Sequence, residues 1–170
     1  MRLTVLLVAL ITMMPAFASA DDLSVEDDTM ADLPKQISEA IQHAEGANLK
    51  DAIHFKSGFC KLIGKPVDLG QGAQPAYFVT TANACNWGAA VGPIWLVLNE
   101  PHPVVVLSYG GATMTLEKKG QNGFPNIVIS AGTAGWTQKS WWTYDGERYV
   151  KTKEEICSVQ EDTSFKCRMR

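Results

Sequence analysis

Between residues 77 and 150 the chain is cut into short apolar runs by turn residues, and this spacing limits the fold more than any other feature. The runs 77–81, 94–98, 104–109, 113–117, 126–130, 140–144 and 148–150 are too short for stable helices. They are rich in β-branched and aromatic residues. Asn122-Gly123 and Asp145-Gly146 fall between runs, and such dipeptides supply the positive φ angles of tight hairpin turns. The expected fold is mainly β, an antiparallel twisted meander or a partly closed barrel. One helix precedes it over residues 32–44, where Ile37, Ala40, Ile41 and Ala44 recur at helical spacing. Asp32 is its expected cap, Pro34 suits its first turn and Gly46 its stop. Residues 48–60 read as either short strand or loop.

A faint repeat runs through the strand region. Pro75-Ala76-Tyr77-Phe78-Val79-Thr80 aligns with Pro125-Asn126-Ile127-Val128-Ile129-Ser130, 50 residues later. Each unit continues through small residues to Trp87 or Trp136. A second aromatic strand follows, holding Trp95 or Trp141-Trp142. Two strand-loop-strand copies would bury their apolar faces against each other. A β-rich chain also produces such likeness by chance, and both readings stay open.

The N-terminus addresses compartment. Met1-Arg2 supplies a positive start, residues 3–14 an apolar core, and Ala18-Ser19-Ala20 a small-residue cleavage site. This is the layout of a secretory signal peptide, with residues 1–20 removed. The apolar run is shorter than the roughly 20 residues a spanning helix needs, so no membrane insertion is expected after cleavage. Cleavage removes Arg2, leaving 14 of the 15 basic residues against 18 acids. Six of those acids (Asp21, Asp22, Glu26, Asp27, Asp28 and Asp32) crowd the start. Residues 21–31 are therefore expected to be an acidic, flexible leader, and residues 32–170 a single disulfide-bonded β-rich domain. The basic density that nucleic-acid binding requires is missing, and no nucleic-acid partner is expected.

An exported chain with four cysteines, Cys60, Cys85, Cys157 and Cys167, points to two disulfides. Three connectivities are possible. Cys157–Cys167 would close a short terminal loop and tie down residues 151–170, which leaves Cys60–Cys85. No C-x-x-C pair is present and His43, His54 and His102 are scattered, so neither a metal site nor a redox motif is expected.

The catalytic motifs fail individually. Val106-Leu107-Ser108-Tyr109-Gly110 lacks the leading glycine of a nucleophile elbow. Residues 58–65 are one residue too long for a phosphate loop, and Pro66 stands where its hydroxyl residue belongs. Glu100, Glu117, Asp145 and Glu147 sit in or beside turns, as solvated charges do. The chain is accordingly expected to be no enzyme and to need no cofactor. Binding is the alternative chemistry. Trp141 and Trp142 are adjacent in a strand and must point to opposite faces. With Trp136 and Tyr144 they form a candidate stacking surface for a sugar or a protein. The small-residue segment 83–92 carries Asn86 and Trp87 beside Cys85, a candidate loop for entering a partner's cleft.

The order of these pieces resembles that of a widespread set of small exported bacterial proteins of unassigned function. The likeness covers roughly residues 74–150: a central loop cysteine, the strand Gly-Phe-Pro-Asn-Ile-Val-Ile and the closing Trp-Trp-Thr-Tyr-Asp-Gly-Glu-Arg-Tyr hairpin. Those proteins often carry a second loop cysteine, absent here from residues 86–92, and an acid where this chain has Asn126. Residues 81–98 are more weakly similar to the cysteine loop of periplasmic lysozyme inhibitors. The expected function is that of a non-catalytic, periplasmic or secreted binding protein, an inhibitor or immunity protein against a cell-wall hydrolase. The alternatives are a glycan-binding or structural envelope protein using a tryptophan face, and an enzyme of unrecognised chemistry built on an acid or histidine.

Overall fold

A computed structural model describes residues 22–46, 60–70, 75–82, 91–160 and 164–170. The chain is mainly β, with one helix and two antiparallel sheets that do not close into a barrel. The elements are β1 (Asp22–Ser24), β2 (Ala31–Asp32), α1 (Lys35–Glu45), β3 (Leu62–Val67), β4 (Ala76–Thr81), β5 (Gly92–Leu98), β6 (Val104–Gly111), β7 (Thr113–Lys119), β8 (Pro125–Thr133), β9 (Trp136–Tyr144), β10 (Tyr149–Val159) and β11 (Phe165–Met169). A short 3-10 turn over Gln121–Gly123 joins β7 to β8. One sheet has the order β1-β7-β8-β9-β10-β11, the other β2-β3-β4-β5-β6.

The sheets face each other across a core of alternating side chains. Leu23, Met114, Leu116, Ile127, Ile129 and Trp142 come from the six-stranded sheet, and Phe78, Ile94, Leu96 and Val106 from the five-stranded one. The back of the five-stranded sheet is also covered. Ile37 and Ile41, four residues apart on α1 and fully buried, pack on Val79, Trp95 and Val97. The order of layers is thus sheet, sheet, helix. Double coverage explains why β5 reads Gly-Pro-Ile-Trp-Leu-Val-Leu without polar interruption, whereas β8, covered on one face, alternates.

The chain crosses between the sheets twice, from β1 to β2 and, at a tight corner, from β6 to β7. β6 ends at Gly111 and β7 begins at Thr113, and the Ala112 N–H donates to the Ser130 carbonyl at 2.7 Å. A Cβ on Gly111 would lie 2.4 Å from Ile129 Cγ2, so only glycine allows the sheets to approach this closely here.

Three expectations change. The acidic segment 22–31 is built into the fold. Leu23 is buried, β1 pairs with β7, and the Asp27 carboxylate accepts from Lys65 Nζ (2.5 Å), Thr29 Oγ1 (2.6 Å) and the Thr29 N–H (2.8 Å). Composition suggested solvation, but these acids face outward or are neutralised, while the single leucine between them turns inward. Asp32 does not cap α1: it lies in β2, its carboxylate on Lys61 Nζ, and Pro34 occupies the cap position without a side-chain bond. The 50-residue repeat does not survive either. The hairpins β4–β5 and β8–β9 do lie in opposite sheets. However, Phe78 points into the shared core while its aligned partner Val128 lies outside, opposite Trp141. A one-residue slip in a strand reverses every face.

Lys65, followed by Thr29, holds the Asp27 carboxyl down to about 2, below its ordinary 3.8. Because the folded value is the lower one, this pair stabilises fully above pH ~4 and the contribution is lost as pH falls toward 2. With both side chains partly exposed, Asp27→Asn is expected to lose about 1–2 kcal/mol at neutral pH. It should also flatten the acid limb between pH ~4 and ~2 in urea titrations.

Cys157 and Cys167 are bonded directly across the β10–β11 pair, with Cα atoms 3.9 Å apart, as expected for the terminal loop. Cys60 is also disulfide-bonded, and its expected partner Cys85 lies outside the described residues. No described helix is long and apolar enough to cross a membrane.

Candidate functional site

A groove of about 470 Å³ opens along one side of the sandwich, where both sheets present a strand edge. It is lined by Val105 to Ser108 of β6, by Arg148 to Lys151 at the start of β10, by Trp142, and by Ala44 and Glu45 at the end of α1. Side chains alternate along a strand, so contact with four successive residues means that the groove runs along the backbone edge. β6 is the last strand of its sheet, and β11, with Arg170 after it, reaches β10 only from Glu154 onward. The two edges are thus left open on the same side.

Both strands bulge at this point. Register shifts between Leu96 and Val97 make Val106 the extra residue in β6, and Thr152 is the extra residue in β10. The first bulge turns Val106 and Leu107, neighbours in sequence, both inward. Bulges re-aim side chains and end regular pairing, which keeps a groove from closing into a continuous sheet.

Glu45 is fixed by two donors. Its Oε1 accepts from Trp95 Nε1 at 2.7 Å and from Ser108 Oγ at 2.5 Å. A carboxylate in the last turn of a helix opposes the helix dipole. The two donors offset that repulsion and hold the negative charge at the groove rim. Helix α1 stops directly afterwards at Gly46, whose φ of 55° is left-handed and whose N–H donates to the Gln42 carbonyl.

Behind Lys151 of the opposite wall lies an ordered polar cluster. Glu154 Oε1 accepts from Lys151 Nζ (2.7 Å) and Gln138 Nε2 (2.9 Å), and Gln138 also donates to the Tyr109 hydroxyl (2.9 Å). The Tyr109 ring meets Trp142 edge-on, with centroids 4.7 Å apart, and Lys151 Nζ lies 5.5 Å from its centre. The Lys151 bond lowers the Glu154 carboxyl, and Glu154 raises the Lys151 ammonium. Burial pushes the Tyr149 hydroxyl up, and that hydroxyl donates to the Pro125 carbonyl at 3.0 Å. The Lys151–Glu154 pair therefore stays charged near pH 7, while the Tyr149 hydroxyl stays neutral. Arg148 stands exposed at the far end.

The expected binding residues separate. Asn86 and Trp87 lie outside the described residues. Trp142 and Tyr144 are interior: Trp142 donates through Nε1 to Ser140 Oγ (2.9 Å), and Tyr144 packs on Phe124 with centroids 4.1 Å apart. Trp141 lies half-buried on the outer face opposite Val128, with Lys153 Nζ 4.5 Å above its ring. Trp136, also half-buried, is the first residue of β9. These four therefore do not form one stacking surface, and only Trp142 reaches the groove. Glu45, Ser108, Arg148 and Lys151 were not legible as a group, because only the meeting of two sheet edges with a helix end assembles them. His43 and His102 are exposed, and His54 lies outside the described residues. Among the described residues no three His, Cys, Asp or Glu side chains cluster as metal ligands. Comparison with protein-family models, with curated proteins and with solved structures finds no match to this chain.

Proposed function

We propose that this chain is an exported, non-catalytic binding protein that seats part of an envelope or secreted partner in the groove. A cell-wall hydrolase is the partner class to test first. The observation that carries this reading is the groove wall itself. Glu45 is pinned by Trp95 Nε1 and Ser108 Oγ, and Lys151 by the Glu154 carboxylate behind it, so these charged groups along the groove are held in fixed positions. Fixed charges on a rigid doubly packed scaffold suit recognition. The signal-like residues 1–20 and the Cys157–Cys167 bond favour an oxidising compartment.

The test is a pull-down with oxidised residues 21–170 against the envelope and secreted proteins of the same cell. Arg148→Glu and Trp87→Ala serve as variants. A retained hydrolase is expected to be inhibited, and its affinity is expected to fall roughly tenfold or more with Arg148→Glu. Loss with Trp87→Ala alone would move the site to the central loop. Retention of nothing by the unaltered chain would overturn the reading. The half-exposed Trp141 with Lys153 above it favours a second reading, glycan binding on the outer face. That reading requires Trp141→Ala to abolish retention on a peptidoglycan or chitin column.

A further inference from the structure

A second surface, separate from the groove, lies at the opposite end of β10. Strand β11 is the last strand of the six-stranded sheet, and its outward edge has no strand partner among the described residues. Its pairing with β10 is regular, without a bulge. Its residues alternate strictly. Phe165, Cys167 and Met169 share the outer face with Val159 and Cys157, while Lys166 and Arg168 point to the other face, continued by Arg170 beyond the strand. Phe165 and Met169 are 53 % and 48 % exposed, so an apolar row and a basic row both stand open along one edge. None of the described ion pairs involves Lys166, Arg168 or Arg170. The cross-strand Cys157–Cys167 bond anchors the strand against fraying.

This pattern discriminates between occupants. Two copies pairing antiparallel about Cys167, with their faces aligned, would set Phe165 against Met169 of the second copy. The same register sets Lys166 against Arg168, and like charges directly opposite oppose pairing. A strand with acidic side chains where this one is basic meets no such repulsion. We propose that the open edge of β11 receives an extended segment of a partner protein in which acidic and apolar residues alternate. The acids would face Lys166, Arg168 and Arg170, and the apolar side chains would cover Phe165 and Met169. Backbone hydrogen bonds to the edge provide the pairing and the alternation provides the choice of partner.

The test uses the oxidised protein and three end-capped eight-residue peptides: alternating Val-Glu, alternating Val-Lys, and a block of four Glu followed by four Val. Affinity is read by calorimetry, and the pairing by amide hydrogen exchange of residues 165–169. The Val-Glu peptide is expected to bind about tenfold or more tightly than either other peptide, to weaken with added salt, and to slow exchange along β11. Lys166→Glu combined with Arg168→Glu, at exposed positions, should reverse the preference to the Val-Lys peptide. Equal binding of the block and alternating acidic peptides, or binding without slowed exchange in β11, would show a general polyanion surface and overturn the proposal. No binding of the Val-Glu peptide would also overturn it, leaving the basic row as a guard against edge-to-edge association. Because β11 does not line the groove, either failure leaves the groove reading untouched.

Discussion

Replacing Phe78 by alanine is expected to destabilise the protein by about 3–5 kcal/mol, the usual range for emptying a large aromatic from a packed core. Phe78 is fully buried, in the central strand of the five-stranded sheet, and faces the core from which Ile127 and Ile129 reach across. β4 is hydrogen-bonded to β3 on one side and β5 on the other, so its backbone cannot move inward to fill the space. For a domain of this size the loss corresponds to a fall in melting temperature of roughly 10–15 °C. Urea unfolding followed by tryptophan fluorescence measures it. Val104→Ser, at a residue 45 % exposed, is the control and should shift stability by less than about 0.5 kcal/mol. If the two variants behaved alike, the placement of the core between the sheets would be wrong.

The second large effect is expected from adding a single carbon. Gly64 lies in β3 between β2 and β4, and a Cβ there would sit 2.4 Å from the Phe78 carbonyl oxygen and 2.9 Å from Leu33 Cδ2. The first contact is backbone, and no rotamer change relieves it. Gly64→Ala must part β3 from β4 or push out the segment that carries Leu33. A cost of about 3 kcal/mol is expected, at the upper end of overpacking effects. Gly46→Ala makes the useful contrast. Its Cβ would meet nothing, so any cost there comes from the φ of 55° rather than from crowding. Hydrogen exchange separates the two. The Gly64 variant should expose amides in β3 and β4, and the Gly46 variant only those at the end of α1.

Local chemistry made the strands legible. Every apolar run between residues 77 and 150 became a strand, because short β-branched segments between turn formers offer the backbone few other ways to satisfy its hydrogen bonds. Asn122-Gly123 adopts positive φ at both residues, 57° and 79°, as the dipeptide predicts. Asp145-Gly146 is only half as predicted. Gly146 alone has positive φ, and Asp145 Oδ1 instead accepts the N–H groups of Glu147 and Arg148 in a longer loop. What the sequence hid was long-range. Leu23 finds Met114 ninety-one positions away, and no local signal distinguishes one inward leucine among six acids from a solvated tail. The groove was hidden for the same reason. Glu45 is an ordinary helix-end residue until Trp95 and Ser108, from two other strands, are brought to it. The adjacent tryptophans were legible as pointing to opposite faces, and they do. Which face was solvent depended on the second sheet, and the sequence of β9 carries no record of that sheet.

The pairing of β1 with β7 also governs timing. A chain that emerges N-terminus first presents Asp22 to Ser24 long before Thr113 to Thr115 exist to receive them. The six-stranded sheet cannot be completed early. β2 waits for β3, and β1, although first made, is added when most of the chain is already present. Loop closure on this scale places folding in the slow, non-local regime of milliseconds to seconds. During that interval the edge of β7 stands open, and the six-stranded sheet is closed on that side by a segment made long before the strand that receives it.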